Sequence, residues 1–396
     1  MAKQNYADEF LRAIAKEALG FLLKNVDSNS IKCILATGSI ANGEGTVIKH
    51  KSSTVASDFD FVVYIDFSYY LKNRTNFINL SKIITAQLLK SKIDTHVVFL
   101  PSPLLLQRDI HFSKSSIYEY EFAIASKCVF GKTRHFNLAA RPNKKDALEL
   151  TFTVVGDLVF SNFESLSDIE KSYIYAKRAL TLLNSLLIFH GYFAETYEKR
   201  INIAEKYGSR GLLPLTTDEL KILKIFYGYK LSGSLQQLLA SLSFRDMRDL
   251  LTFQSSFLKN LTMKILGYEL NIFINGKQVE PTCNTRNAKF TNLLAEYYSR
   301  SETSLFSKIF GLSLFVFWSF SRRKQRKELF ATLVFHKKPP KLLMNIIITL
   351  LLIYDSKPLA KKLLDEFFPW VATDGTDESL QRIFTLWQSA EESIKL

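Results

Sequence analysis

Residues 31–67 read IKCILATGSIANGEGTVIKHKSSTVASDFDFVVYIDF, and the fold prediction starts from this segment. It contains two short apolar runs, IKCILAT and DFDFVVYIDF, which are rich in Ile and Val and bounded by turn-forming residues. Such runs predict two β-strands, one ending at Gly38-Ser39 and one opening with Asp58 and Asp60. Because side chains alternate along a strand, both aspartates are expected to project from the same face.

Two neighbouring carboxylates repel each other unless they share a proton, a hydrogen-bond network or a bound cation. Carboxylate oxygens suit Mg²⁺, or Mn²⁺ in its place, and substrate phosphates commonly complete the coordination of such an ion. Gly38 allows close backbone approach to a ligand, the following amides can hold phosphate oxygens, and the Ser39 hydroxyl adds a donor. The pattern therefore predicts a site for a divalent cation and phosphate groups around Asp58 and Asp60. The alternative is a plain α/β core in which both aspartates are a solvated strand end.

The order Gly38-Ser39, then Asp58-x-Asp60 at the head of a strand, resembles the signature of the nucleotidyltransferase superfamily. That superfamily includes DNA polymerase beta, poly(A) polymerases, CCA-adding enzymes, aminoglycoside nucleotidyltransferases and cGAS-like cyclic-nucleotide synthases. The resemblance implies an α+β fold, in which a small mixed sheet flanked by helices forms the catalytic domain and a mainly α-helical region follows. It also implies a third metal-binding carboxylate on a nearby strand, for which Asp94 in KIDTHVVFLPS is the candidate.

One departure from the superfamily pattern concerns spacing. The 18 residues between Ser39 and Asp58 exceed the usual number, so residues 43–56, GEGTVIKHKSSTVA, look like an insertion. An insertion here leaves the two aspartates at the head of their strand.

The rest of the first domain is predicted to alternate helices and strands. Apolar residues at helical spacing indicate one helix over 5–25 and another over 75–91. A strand over 93–100 follows and places Asp94 and His96 on one face. Two prolines just beyond residue 100 are expected to stop this strand.

From residue 146 to about 266 the pattern is helical throughout. Ser167 and Glu170, in S-D-I-E, predict a capping box that starts a helix with a continuous apolar stripe. In the enzymes that the chain resembles, basic and aromatic side chains of a following helical domain close over the nucleotide. Tyr173 and Lys177, one turn apart, are therefore candidates to meet the base and the triphosphate; the solvated side of a core helix is the alternative for Lys177. Reserve candidates for these contacts are Arg178, Tyr197 and Arg200.

Three regions are predicted along the chain. They are a catalytic domain at 1–145, a helical substrate- and nucleotide-binding domain at 146–284, and a C-terminal helical region at 285–396. Near the second boundary, Asn275-Gly276 predicts a tight β-hairpin turn, and a polar linker is expected to follow it.

The C-terminal region contains two strongly apolar segments, 305–320 and 342–354, with the basic runs SRRKQRK and HKKPPK between them. A membrane-spanning helix needs about 20 apolar residues, so passage through a membrane is not expected. Buried helices of a small bundle are one interpretation. A membrane-surface or nucleic-acid-binding module with a basic rim, over 305–354, is the other.

The net charge and the cysteine content restrict the classes of binding partner and the cellular compartment. The chain carries 52 Lys and Arg against 38 Asp and Glu, and its net charge of +14 favours nucleic acid, nucleotides or an anionic membrane surface as partners. Its three cysteines are far apart and form no C-x-x-C pair, which indicates free thiols in a reducing compartment. The N-terminal residues show no signal-peptide core. These features predict a cytoplasmic protein.

The resemblance implies a metal-dependent enzyme that moves a nucleoside monophosphate from an NTP, such as ATP, to an acceptor hydroxyl and releases pyrophosphate. The expected acceptor is RNA, for example a tRNA end, or a nucleotide. A second hypothesis is a cGAS-like synthase that links nucleotides into a cyclic or linear oligonucleotide. A third is a nucleic-acid- or membrane-binding protein whose transferase fold no longer catalyses.

Overall fold

A computed structural model of the protein describes residues 2–50, 53–104, 117–132, 141–163 and 166–276, together with Leu293 and Tyr297. Apart from these two residues, the region predicted over 285–396, including both apolar segments, lies outside the described residues. Cys283 and the predicted polar linker lie outside them as well.

Helices and short strands alternate over the first part of the chain, and helices alone follow. The first part comprises α1 (Ala2–Asn25), β1 (Ile31–Ala36), α2 (Gly38–Ala41), β2 (Val47–His50), β3 (Ser53–Ala56), β4 (Phe59–Asp66), α3 (Phe67–Lys90), β5 (Ile93–Asp94), β6 (Val97–Leu104), α4 (Ile117–Ala125) and β7 (Lys127–Gly131). The helices that follow are α5 (Lys144–Phe163), α6 (Asp168–Phe189), α7 (Tyr197–Gly208), α8 (Thr217–Ser232), α9 (Leu235–Ser241) and α10 (Met247–Asn275). The fold class is α+β and mostly helical, with small mixed sheets.

The strands of the described part form two sheets. The larger has the order β6-β4-β1-β7, in which β1 is antiparallel to β4 and β7, and β4 is parallel to β6. The smaller has the order β2-β3-β5, in which β2 and β3 are an antiparallel hairpin and β5 is parallel to β3. Ser57 and Asp58 connect β3 of the smaller sheet to β4 of the larger sheet, so Asp58 lies where the chain passes from one sheet to the other.

The core lies between the larger sheet and the apolar faces of α1 and α3. It includes Leu11, Ile14 and Leu22 of α1, Phe77, Leu80 and Ile84 of α3, and Phe59, Phe61 and Phe99 of the sheet. Burial alternates at the start of β4 as predicted, with Phe59 and Phe61 buried and Asp58 and Asp60 only half-buried. The two aspartates therefore lie on the open side of the strand.

Helix α6 follows its prediction closely. It begins with the predicted capping box, in which the Ser167 side chain accepts the Glu170 N–H and the Glu170 carboxylate accepts the Ser167 N–H. The predicted apolar stripe is buried along its whole length and comprises Ile169, Tyr173, Ala176, Leu180, Leu183 and Leu187.

The strand predicted over 93–100 is broken in the structure. The chain forms β5 and then β6, separated by Thr95 and His96. Thr95 is buried, and its hydroxyl donates to the carbonyl oxygen of Ser57 at 2.8 Å, outside either sheet ladder. This tertiary hydrogen bond accounts for the break in the strand. The break was not predicted, because a periodic sequence pattern carries no information about such a long-range contact.

The prolines at 101 and 103 do not stop β6, which continues to residue 104. The strand is an edge of the larger sheet, where a missing N–H can face away from the neighbouring strand. The prediction that these prolines end the strand was therefore wrong.

The predicted insertion contains the β2–β3 hairpin. Strand β3 pairs with β5, with Val55 opposite Asp94. The additional residues thus provide the strand on which β5, and with it Asp94, is held.

The chain divides into two compact units, Met1–Ala147 with Ser167–Ser255, and Leu148–Leu166 with Ser256–Leu396. Helices α6 to α9 belong to the first unit, together with both sheets. The division therefore does not follow the predicted boundary at residue 145. Side chains of α6 bond to residues of the sheets and their loops, rather than forming a separate core.

Helix α10 occupies the described part of the predicted β-hairpin. It runs to Asn275, and Gly276, with φ +66°, follows it and donates its N–H to the Ile272 carbonyl oxygen at 2.9 Å. The Asn-Gly pair ends a helix here, because glycine readily adopts the left-handed conformation that such an end requires. Among the described helices, none combines the length and the apolar character needed to cross a membrane.

Candidate active site

The Gly38-Ser39 turn lies at the end of β1, directly against Asp60. Gly38 is exposed and has φ +68°, a conformation that favours glycine. Thr37 donates its N–H, at 2.9 Å, and its hydroxyl, at 3.2 Å, to the carbonyl oxygen of Asp60. A Cβ on Gly38 would stand 3.7 Å from Oδ2 of Asp60. The backbone of the turn is thus held beside this carboxylate, with no side chain between them.

Asp58 forms an ion pair with Lys177 of α6. The Lys177 Nζ lies 2.7 Å from Asp58 Oδ2, and the two side chains are 27% and 38% exposed. Burial by itself would raise the pKa of Asp58, but the charge and the hydrogen bond of Lys177 hold that pKa below its usual value. Burial would likewise lower the pKa of Lys177, and the Asp58 carboxylate raises it. Both groups are therefore charged at neutral pH.

Asp94 contacts Glu170, in the first turn of α6. The hydrogen bond to Glu170, together with burial and the negative charge of Glu170, raises the pKa of Asp94 to about 6. Burial would raise the pKa of Glu170, but the hydrogen bonds from Asp94 and Ser167 lower it. Below about pH 6, Asp94 is therefore the proton donor to an ionised Glu170; above that pH the two carboxylates repel each other.

Tyr173 lies under protein, with 7% of its surface exposed. Its hydroxyl is 3.2 Å from Oγ of Ser57, which in turn accepts the N–H of Thr46 at 2.8 Å. The Lys230 ammonium lies 5.9 Å from the centroid of the Tyr173 ring. Because the Tyr173 ring is covered, it has no free face on which a base could stack in this structure. Tyr173 instead supports the residue that precedes Asp58.

Glu44 is buried within the predicted insertion and connects the Gly-Ser turn to α7. Its N–H donates to the Ser39 carbonyl oxygen at 2.8 Å. Its carboxylate accepts the N–H groups of Tyr197 and Glu198, at 2.8 and 3.2 Å, at the start of α7, where a negative charge is favourable. The buried Lys230 donates to the Glu44 carbonyl oxygen at 3.3 Å. One residue thus fixes the turn and the helix to each other.

The structure brings some of the predicted site residues together and separates others. Asp60 lies beside the Gly-Ser turn, Asp58 is paired with Lys177, and Asp94 is bonded to Glu170. Within the described ranges, no group of three or more His, Cys, Asp or Glu side chains is placed to hold a metal ion. Asp58 and Asp94 each have a partner on α6, namely Lys177 and Glu170.

Two of the reserve candidates are engaged elsewhere. Arg200 is buried, and its guanidinium donates to Glu121 at 2.8 Å and to the Ala194 carbonyl oxygen at 2.9 Å. The ring of Tyr197 faces that guanidinium at 5.1 Å. These contacts hold the helical layer together and leave neither side chain directed at Asp58 or Asp60.

Three residues that support the site carry little sequence signal. The capping box marks Glu170, but it assigns the side chain to the helix start rather than to Asp94. Glu44 falls inside the segment that looks like an insertion. Lys230 lies 186 positions from the carbonyl group to which it donates, so no local pattern points to that contact.

We expect Asp94→Asn to stabilise the protein more at pH 7 than at pH 4. The pKa of Asp94 in the folded chain, about 6, lies above its ordinary value of 3.8, so between these values the folded state binds the proton more tightly. The stability of the unsubstituted protein therefore falls as the pH rises through this window. An Asn amide donates to Glu170 at every pH and cannot ionise.

Urea unfolding of both proteins from pH 4 to pH 8 measures the effect. The difference in unfolding free energy should grow between about pH 4 and pH 6 and then stay constant. A difference that does not change with pH would contradict the shared proton.

Comparison with protein-family models, with curated proteins and with solved structures finds no match to this chain.

Proposed function

We propose that the protein is a metal-dependent nucleotidyltransferase, which moves a nucleoside monophosphate from an NTP to an acceptor hydroxyl. One observation carries the proposal: at the head of β4, Asp60 lies beside the exposed Gly38 and Asp58 pairs with the ammonium of Lys177. Two carboxylates, an unobstructed backbone and a lysine are the groups that a cation-bound triphosphate requires. The resemblance of the same residues to the superfamily signature supports the reading.

The carboxylates fit the divalent cation that this activity needs. Asp58 and Asp60 present hard oxygen donors, and the missing side chain of Gly38 leaves space next to Oδ2 of Asp60. When bound, Mg²⁺ or Mn²⁺ supplies charge neutralisation at the phosphates and holds the reacting oxygens in place. Asp94 remains the proposed third ligand, and its bond to Glu170 would have to be exchanged for that role.

The chain's own groups hold and orient the substrate. The backbone of the Gly38-Ser39 turn and the Ser39 hydroxyl are placed to donate to phosphate oxygens. Lys177 of α6 lies beside Asp58 and provides a positive charge at the head of β4. Glu44 and Tyr173 keep the turn and the head of β4 in position, so that positioning and electrostatic stabilisation account for most of the catalysis.

Labelled nucleotide shows whether transfer occurs and to what. The full-length protein is mixed with each α-labelled NTP and Mg²⁺ or Mn²⁺, with and without total cellular RNA. Label in RNA identifies an RNA acceptor, whereas a small labelled product formed without RNA identifies a nucleotide acceptor. Absence of transfer under all these conditions would contradict the proposal.

Asp94→Asn is expected to reduce turnover far more than NTP affinity. The third carboxylate of the proposed site acts mainly where the acceptor hydroxyl is activated, and less where the triphosphate is held. Steady-state turnover and equilibrium binding of labelled NTP should therefore separate in this variant. Turnover at the unsubstituted rate would exclude Asp94 as the third ligand.

A further inference from the structure

The ammonium of Lys177 donates a hydrogen bond to the Asp58 carboxylate, which the proposed function assigns to a metal ion as a ligand. Its Nζ lies 2.7 Å from Oδ2 of Asp58, which is the distance of a charge-assisted hydrogen bond. A lysine ammonium that is hydrogen-bonded to a carboxylate weakens the binding of a divalent cation to the same carboxylate, because the positive charges repel each other. In the nucleotide-free protein, Lys177 therefore opposes binding of the cation at Asp58.

The backbone of α6 keeps Lys177 in this position. The first turn of the helix is capped by Ser167 and bonded to Asp94 through Glu170, and Tyr173 bonds to Ser57 one turn before the lysine. The lysine side chain itself is 27% exposed, and its four-carbon stem is flexible. The helix is thus fixed near Asp58, while the ammonium alone can exchange one anionic partner for another.

We infer that Lys177 is an exchangeable counter-ion of Asp58, and that the site takes a divalent cation as its complex with a nucleoside triphosphate rather than as the free ion. The triphosphate offers the ammonium new oxygen partners, and Asp58 is then available to the cation. The inference rests on the proposed function, since it concerns the same site. It adds a property of the site: binding of the polyphosphate increases the affinity for the cation, and binding of the cation increases the affinity for the polyphosphate.

Thermodynamic reciprocity makes this coupling measurable from either side. If the triphosphate increases the affinity for the cation, the cation increases the affinity for the triphosphate by the same factor. Removing the ammonium removes this repulsion, so the free cation binds more tightly and the coupling becomes smaller. Both changes are equilibrium quantities that do not require turnover.

Mn²⁺ binding, followed by electron paramagnetic resonance of the free ion, tests the inference on the full-length chain. The probe is Mn²⁺ alone, and then Mn²⁺ with an NTP analogue that carries a methylene group between the α and β phosphorus atoms. Lys177→Met is expected to bind Mn²⁺ alone about tenfold more tightly than the unsubstituted protein. The analogue should tighten Mn²⁺ binding strongly in the unsubstituted protein and much less in this variant.

Four further variants separate the effect from simpler causes. Lys177→Arg keeps a cation next to Asp58 and should bind free Mn²⁺ as weakly as the unsubstituted protein. Lys171→Met, on the same helix, removes the same net charge elsewhere and should change nothing. Adding Asp58→Asn to Lys177→Met should abolish the gain. Lys177→Gln, checked by circular dichroism, repeats the measurement with a second neutral side chain.

Equal Mn²⁺ affinity of Lys177→Met, Lys177→Gln and the unsubstituted protein would overturn the inference. An equal gain in Lys171→Met would also overturn it, because the cause would then be net charge. Failure of the proposed function looks different: the gain at Asp58 would be present, but no labelled nucleotide would be transferred.

Discussion

Asp60→Ala is expected to lower nucleotidyl transfer by on the order of 100- to 1000-fold, the range for one preorganised group that stabilises charge in a transition state. The carboxylate lies beside the Gly38 turn, where it serves as a metal ligand in the proposed site, and it makes no part of the buried core. Asp58→Ala should have a loss of the same order. Initial rates with labelled NTP measure both variants.

Asp66→Ala is the matched control for these substitutions. Asp66 ends the same strand and also pairs with a lysine, Lys32, at 2.8 Å. It lies eight positions after Asp58, which is about 26 Å along an extended strand. It should keep full activity, and it is too distant to replace Asp94 as a ligand. Activity retained in Asp58→Ala and Asp60→Ala would end the transferase hypothesis.

The stability of Asp58→Ala gives an independent check of the ion pair. Repulsion between two aspartates alone would predict a small gain in stability, but the pair with Lys177 predicts a loss. Because the pKa of Asp58 is lowered in the folded chain, the stability from this pair is present above pH 3.8 and is lost as the pH falls through the folded-state pKa. Urea unfolding should show the full loss at pH 7 and a loss that becomes smaller as the pH falls below 3.8.

Lys177→Ala is expected to raise the apparent KM for NTP about 5- to 30-fold, which corresponds to about 1 to 2 kcal/mol. Hydrogen bonds to charged groups contribute about 1.5 to 3 kcal/mol, and the lost ion pair with Asp58, half-exposed and screened by solvent, offsets up to about 1 kcal/mol of this. The increase should be larger at low salt, where screening is weakest. Steady-state kinetics at two ionic strengths measure it.

Lys221→Ala is a suitable control, because Lys221 is an exposed helix lysine that pairs with Asp218 within its own helix. Its KM and its thermal unfolding should stay close to those of the unsubstituted protein. An unchanged KM in Lys177→Ala would mean that α6 does not contact the triphosphate through this residue, and Lys177 would then be a partner of Asp58 only.

Local patterns in the sequence were sufficient for the parts of the fold that depend on local geometry. The alternation around Asp58 and Asp60 predicts which side of β4 is open, because side chains alternate along any strand. The capping box and the apolar stripe predict α6 from Ser167 onwards, because both depend only on the helical repeat. The break at Thr95 and the end of α10 at Gly276 were missed, since each depends on contacts or context that no short window contains.

The two carboxylates at the head of a strand, the glycine turn before them and the helix that carries Lys177 all follow from sequence patterns. Which groups meet follows from the packing: Lys177 pairs with Asp58 across 119 positions of chain, and Glu170 of the same helix contacts Asp94. The physical reason is that periodicity is a property of neighbouring residues, whereas these pairings follow from how α6 packs in the first unit. The charge state of the site, with one carboxylate paired with a lysine and another that shares a proton below about pH 6, is a consequence of that packing.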